Sequence, residues 1–394
     1  MSEHSDLLIV GGGIGGLTTA LAGLRAGRSV RVLEQSLEYG EIGAGIQLAP
    51  NATRVLTGLG LMPAIEAVGV LPRRLVLGDA FTATELTHLP LGDFRARYGA
   101  PYVVMHRRDL LDILLAACRE AGGALETGAR VMSLEDSDLA VTARCADGRS
   151  WSGEVLVAAD GLNSGLRRGF SGDEPLASGF VAYRGAVPTE LVERRADLGD
   201  VVAWIGPGLH LVQYPLRAGE LYNQVAVFRS DAYARGESDW GSPAELDEVF
   251  ARTHEHLREA TLLLGREHRW PMYDRLPMAN WVRGRVALLG DAAHPMLQYL
   301  AQGACQAIED ANCLISMLGD PTPRRAAAEV HAQLLAYQDE RAPRTARVQR
   351  TARTWGEIWH LDGVAKQLRD YLLTERLPED HRHIEWLYGS GQNR

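Results

Sequence analysis

Leu7-Leu8-Ile9-Val10-Gly11-Gly12-Gly13-Ile14-Gly15-Gly16-Leu17 is the stretch whose reading decides the fold. Four apolar residues form a short buried strand, the glycines form a turn, and Leu17 to Ala26, rich in alanine and leucine, form a helix. Ser29 to Leu33 is β-branched again and ends in Glu34. Strand, tight turn, helix and second strand make a βαβ unit, which belongs in a parallel sheet. Gly11, Gly13 and Gly16 match G-x-G-x-x-G. The first allows the tight turn, the second lets backbone approach a pyrophosphate, and the third lets the helix pack close to the strand. The phosphates would lie at the helix N-terminus, where free N–H groups and the helix dipole favour negative charge. Glu34 is placed to accept hydrogen bonds from ribose hydroxyls. Glycine turns also serve packing alone, but strands, helix and acid together point to a Rossmann-like dinucleotide site.

Working outward, Asp109 to Ala121 reads as a helix with leucine at 110, 111, 114 and 115 on one side. Glu154 to Ala159 and Arg285 to Leu289 read as further strands, the second entering Gly290-Asp291. Between about 172 and 275 the texture changes. Alternating runs such as His210 to Pro215 and Asn223 to Phe228 predict an antiparallel sheet, to which residues 76 to 100 contribute. Beyond about 320 the sequence is helical. Arg341, Arg344, Arg347, Arg350 and Arg353 recur there every three residues, a step that drifts around a helix and makes no single basic stripe. A solvated or subunit-facing helix is the expectation.

The 394 residues carry 46% hydrophobic and 23% charged residues, a globular composition. A formal net charge of −9 argues against nucleic acid or an anionic membrane as partner. No apolar run is long enough to span a bilayer, and the first strand lacks the basic lead of a signal peptide. Cys118, Cys145, Cys305 and Cys313 show no metal-ligand spacing, so they read as buried small residues in a reducing cytoplasm.

Two more segments narrow the reading. One is Ala159-Asp160-Gly161-Leu162-Asn163-Ser164-Gly165-Leu166-Arg167-Arg168. The other is Gly290-Asp291-Ala292-Ala293-His294-Pro295, followed by Gln302-Gly303-Ala304 and Glu309-Asp310-Ala311. With the glycine turn, they resemble the group A aromatic-ring hydroxylases, flavoproteins that bind FAD. The resemblance runs from about residue 6 to 350. It implies an α/β fold: a Rossmann-like FAD-binding domain (1–75, 101–171 and 276–320), an interleaved antiparallel-sheet substrate domain (76–100 and 172–275), and a C-terminal helical region (321–394). Asp291 resembles the acid that holds the ribityl chain of FAD. A helix starting near Gly303-Ala304 would aim N–H groups at the flavin N1–C2=O edge. Asp160 and Gly161 resemble an Asp-Gly motif tied to FAD and reduced nicotinamide. Arg107 resembles an arginine near the flavin phosphates, with Arg108 an adjacent competitor. Gly43-Ala44-Gly45-Ile46-Gln47 resembles the segment beside the isoalloxazine ring. No second dinucleotide fingerprint follows, so a nicotinamide cofactor, NADH by family resemblance, would dock transiently.

A narrower resemblance, to the 3-hydroxybenzoate 6-hydroxylases within that family, rests on Gly208 to Arg217 and His294 to Gly303. It assigns His210 and Gln298 to the phenolic substrate and Tyr214 to the same pocket. The chemistry suits these types. An electrophilic oxygen is attacked fast only by an electron-rich ring, and a phenolate donates far more than a phenol. A histidine can take or share that proton near neutral pH. Gln298 can donate a hydrogen bond without adding charge. His210 and Tyr214, four apart on a strand, face the same side. A lone histidine in a sheet is otherwise a satisfied structural residue, and His294 can simply pack or hydrogen-bond near the flavin. The function so implied is para-hydroxylation of 3-hydroxybenzoate to gentisate with NADH and O2, in a homodimer. The alternatives are a decarboxylating salicylate 1-hydroxylase, a hydroxylase of another phenolic acid, a flavin oxidase or dehydrogenase, and a non-catalytic flavin-binding protein. A halogenase is disfavoured because no Trp-x-Trp-x-Ile-Pro stretch exists.

Overall fold

A computed structural model describes residues 4–40, 45–192, 198–321 and 325–389. Gly43 and Ala44 of the segment assigned to the isoalloxazine ring lie outside the described residues.

The opening stretch forms strand His4–Val10, and its neighbours come from far along the chain. Val30–Leu33 lies parallel on one side, followed by Ala124–Glu126. Ser150–Ala158 lies parallel on the other side, followed by Val286–Leu288. Leu7, Leu8 and Ile9 are fully buried, as a parallel sheet covered on both faces requires. Each such side chain contributes about 2 kcal/mol of burial free energy. Antiparallel strands Val131–Asp136 and Val141–Cys145 extend this sheet beside Ser150–Ala158. Helix Ile14–Arg25 packs against helices Arg107–Glu120 and Gly303–Leu318. The order reverses at His4–Val10, and in open parallel sheets ligands bind outside the carboxyl ends of the strands at such a point. Gly11, Glu34, Ala159-Asp160 and Leu289-Gly290-Asp291 stand at those ends. Backbone bonds tie them in line: Gly11 N–H to the Leu33 carbonyl, Ala159 N–H to Val10 and Leu289 N–H to Ala158, each 2.8–2.9 Å.

A second sheet runs Trp270–Asp274, Leu176–Pro188, Leu221–Arg229, Leu209–Leu216, Val201–Gly206, Arg74–Asp79 and Glu85–Pro90. It is antiparallel except where Val201–Gly206 runs parallel to Arg74–Asp79. Strand alternation divides its side chains. Leu209 and Leu211 enter a core shared with Leu246 and Phe250 of helix Pro243–Phe250 and Leu257 of helix Glu255–Leu262. His210, Val212 and Tyr214 point the other way, into a cavity between the sheets.

Helix Ala327–Trp359, 33 residues long, packs against Gly303–Leu318 and the short turn Gln298–Leu300. A solvated or subunit-facing helix is the expectation here, and the structure corrects it for Arg341, Arg344 and Arg353, which pair with acids inside the chain. Arg341 is 3% exposed and pairs with Glu309 at 2.6 Å and Asp310 at 2.7 Å. Arg344 pairs with Glu309, and Arg353 with Asp274. Arg347 and Arg350 are exposed. Buried guanidiniums are tolerable only with buried acids against them, and those acids lie on other elements. The four cysteines are unpaired, and three are buried.

Candidate functional site

Each glycine of the turn has its own steric reason. Gly11 has a φ of +106°, and a Cβ there would sit 2.3 Å from the Ala159 carbonyl oxygen. A Cβ on Gly16 would sit 2.0 Å from the Gly11 carbonyl oxygen, so only glycine lets the helix start beneath the turn. Gly13 differs: nothing among the described residues lies within 4 Å of its virtual Cβ, and it lines the cavity. Its backbone is open to a ligand. The Glu34 carboxylate accepts from the N–H groups of Gly12 at 2.7 Å and Ser36 at 2.8 Å, bracing the turn from the next strand.

The cavity is about 810 Å³, within the range of small-molecule and cofactor sites. Of the cofactor candidates, Gly13, Gly45, Arg107, Asp291, Gly303 and Ala304 line it, as does Gly161. Arg107 opens helix Arg107–Glu120 and faces the cavity, whereas Arg108 pairs with Asp112 at 2.9 Å on the surface. Of the two arginines, Arg107 is the one that lines the cavity. Asp291 is exposed to the cavity on a 3-10 turn that begins at Gly290, whose φ is +62°. Helix Gly303–Leu318 begins at the cavity wall, where its first-turn N–H groups have no intrahelical acceptor and carry the positive end of the dipole. Asp160 is different again. Its carboxyl accepts a 3.4 Å bond from the Leu166 N–H, its Oδ1 has no partner among the described residues, and burial pushes its pKa up.

The opposite wall carries the substrate candidates. Gln298 is exposed to the cavity on the Gln298–Leu300 turn. The turn is followed by Ala301 at φ +52°, a left-handed alanine that costs about 1 kcal/mol. Tyr214 is buried against Gly45, and burial raises its pKa. The Gly45 N–H donates to Asn223 Oδ1 at 2.7 Å, pinning that strand to the second sheet.

His210 is 1% exposed, enclosed by the rings of Tyr299, Trp359 and His360. Its Nδ1 lies 2.9 Å from His360 Nε2. Burial, then the neighbouring His360, hold His210 well below the usual histidine range, so it is neutral at pH 7. The structure therefore brings His210, Gln298 and Tyr214 together with most of the cofactor candidates. Gly11, Gly16 and Glu34 shape the turn behind that wall.

His294 packs and hydrogen-bonds behind the loop that carries Asp291, as its sequence reading allows. Its Nε2 lies 2.5 Å from Asp310 Oδ2 and its ring packs on Trp281. Asp310 also takes Arg341 and the Gly290 N–H, so this network anchors the loop that presents Asp291. Sequence reasoning missed His360, Trp355, Trp359, Arg376, Ile384 and residues 386–388. All but His360 line the cavity. No local pattern marks them, because their partners are distant in sequence.

These residues fit FAD: a glycine facing open space, a carboxylate on the wall and a helix N-terminus meet in one cavity. The orphaned Asp160 Oδ1 belongs to the residue between its lining residues Ala159 and Gly161. The FAD binding domain family model matches residues 4–352. The chain is 42% identical to 3-hydroxybenzoate 6-hydroxylase 1 of Aquipseudomonas alcaligenes, over 98% of both chains. It is 38% identical to 3-amino-4-hydroxybenzoate 2-monooxygenase of Streptomyces cremeus, over 97% of this chain and 94% of the relative. Among solved structures it is similar to Klebsiella pneumoniae HpxO with FAD and uric acid, at TM-score 0.82 and 27% identity, covering 98% and 97% of the two chains. A salicylate hydroxylase substrate complex gives TM-score 0.81 and 25% identity, covering 98% and 95%.

Proposed function

The chain belongs to the FAD binding domain family of aromatic monooxygenases, and on that premise we propose that it hydroxylates 3-hydroxybenzoate at carbon 6. The balanced reaction consumes one 3-hydroxybenzoate, NADH, H⁺ and O2, and yields gentisate, NAD⁺ and water. The observation that carries it is the single cavity in which His210, Tyr214 and Gln298 face the Gly13, Asp291 and Gly303 wall. When bound, FAD supplies hydride acceptance from the nicotinamide and the activation of oxygen.

The protein's own residues do the rest. Neutral His210 accepts the phenol proton and makes the ring electron-rich. Gln298 donates to an oxygen of the substrate and fixes its orientation. Tyr299, Trp355 and Trp359 exclude water from the same wall. Arg107, Arg184 and Arg376 give the cavity positive charge, which suits a carboxylate-bearing ring. Attack falls ortho or para to a phenolate, and carbon 6 is para to the hydroxyl and still bears hydrogen.

NADH docks without a resident site, and the enzyme is cytoplasmic, a reading supported by its unpaired cysteines. No helix among the described residues is long and apolar enough to cross a membrane. The enzyme works as a homodimer, in which a second copy covers Val364, Leu368, Tyr371 and Leu372. These are exposed on one side of helix Gly363–Thr374. Sedimentation of wild type and Leu368→Glu tests this: the wild type should run as a dimer and the variant as a monomer.

Product analysis after incubation with 3-hydroxybenzoate, NADH and oxygen tests the function. The expected product is 2,5-dihydroxybenzoate with its carboxylate intact. Catechol and CO2 from salicylate, with no turnover of 3-hydroxybenzoate, would replace this reading with decarboxylating hydroxylation. The same assay includes 3-amino-4-hydroxybenzoate, because the Streptomyces relative is nearly as similar.

A further inference from the structure

We propose that His360 is the outer half of a two-histidine relay, which carries the substrate's phenolic proton from buried His210 to solvent. The inference rests on the phenol-binding role given to His210 above.

Geometry supports it at each link. His210 stands in the middle of the second sheet with its ring sealed by Tyr299 and Trp359. Among the described residues, the polar atom hydrogen-bonded to its Nδ1 is His360 Nε2, at 2.9 Å. The ring centroids are 5.1 Å apart with 24° between the planes, so the two rings lie side by side and meet through their edge nitrogens. His360 caps the C-terminal end of helix Ala327–Trp359, and its other ring face lies on Phe180 at 4.5 Å. His210 is 1% exposed whereas His360 as a residue keeps partial exposure, so the path runs outward from the sheet.

The proton balance is simple. The phenol O–H breaks and its proton joins His210 Nε2. The proton on His210 Nδ1 passes to His360 Nε2, and the one on His360 Nδ1 leaves to water. No electrons move. Each ring ends in its other neutral tautomer, and reprotonation of the product phenolate runs the chain backward and resets both. A terminal residue that trapped the proton would stop the relay. His360 does not trap it: burial first, then Arg369 and Arg229, hold its pKa down to about 3. The ionisable groups around it are His210, Arg369 and Arg229, with Asp370 held by the Arg369 guanidinium.

A purely packing role for His360 makes different predictions. His360→Gln keeps an amide able to accept from His210 Nδ1, yet it cannot pass a proton on. In the holoenzyme, 3-hydroxybenzoate binding is followed by the ultraviolet absorbance of the phenolate and by proton release to a pH indicator. His360→Gln should bind substrate with little change in affinity while proton release slows by about 10²-fold. Added imidazole should restore the rate in His360→Ala, which also guards against a variant that is merely misfolded. Wild-type phenolate formation and proton release in His360→Gln would overturn the relay. His210→Ala is measured in parallel. If it retains phenolate formation and product yield, the role of His210 fails and the relay goes with it. If His210→Ala loses both and His360→Gln loses neither, only the relay fails.

Discussion

The ring of Tyr214 lies so close to Gly45 that a Cβ on Gly45 would sit 2.4 Å from the ring Cε2 and 2.7 Å from its hydroxyl oxygen. The contact joins the strand beside the cofactor wall to the substrate sheet. Gly45→Ala should displace the ring and cost about 1–3 kcal/mol by overpacking. Tyr214→Ala should be destabilising alone, yet the double variant should be more stable than the sum of the two losses predicts. Denaturant unfolding of the four proteins measures this, and strict additivity would mean that the two residues do not share the contact.

His210→Ala should separate the two half-reactions. Reduction of the flavin by NADH needs no phenolate and should persist. Hydroxylation should fall by about 10²–10⁴, with oxygen consumed and hydrogen peroxide formed instead of product. An unchanged product yield per NADH would remove His210 from the chemistry.

Asp291→Ala should weaken retention of FAD while leaving the fold intact, because its carboxylate faces the cavity rather than a protein partner network. The holoprotein should be yellow and release FAD, not FMN, on denaturation. Gly16→Ala should lose the cofactor for another reason, since its methyl would meet backbone that cannot move aside. Gel filtration followed by flavin absorbance scores both variants, and full flavin content in Asp291→Ala would refute its role.

Acid should attack the network beneath the cofactor loop. Burial would raise the pKa values of Glu309 and Asp310, but Arg341, with His294 against Asp310, brings both down to about 2. Their folded values lie below the ordinary carboxylate range near 4. The stability they contribute is present above about pH 4 and is lost as pH falls toward 2. Asp310→Asn leaves buried Arg341 short of a charge and should cost about 3–5 kcal/mol at pH 7. Unfolding free energy should also fall less steeply between pH 4 and pH 2 in that variant than in wild type. Equal slopes would place the acid sensitivity elsewhere.

What could be read from the sequence was what backbone chemistry demands locally. Gly11 and Gly16 are required by their own turn, and His210 and Tyr214 share a face because a strand alternates. The start of the helix at Gly303 came from the family resemblance and not from local chemistry. Arg341 was misread because its acids, Glu309 and Asp310, lie on another helix, so a surface-like pattern of arginines hides a buried one. His294 was legible as a packing or hydrogen-bonding residue, but its partner Asp310 was not, because tertiary packing chooses it. His360 left no trace, since its hydrogen-bond partner is 150 positions away and its flanking residues repeat no motif.

The order of the first sheet sets a problem for synthesis. His4–Val10 leaves the ribosome first, yet its neighbour Ser150–Ala158 and the next strand, Val286–Leu288, follow much later. At about 5–20 residues per second, the last of these arrives on the order of tens of seconds afterward. For that time an apolar strand has an unpaired edge, a template for pairing with the wrong chain. A chaperone that covers that edge should therefore raise the soluble yield of this chain in a host, and an unchanged yield would mean that the edge is not exposed long enough to mispair.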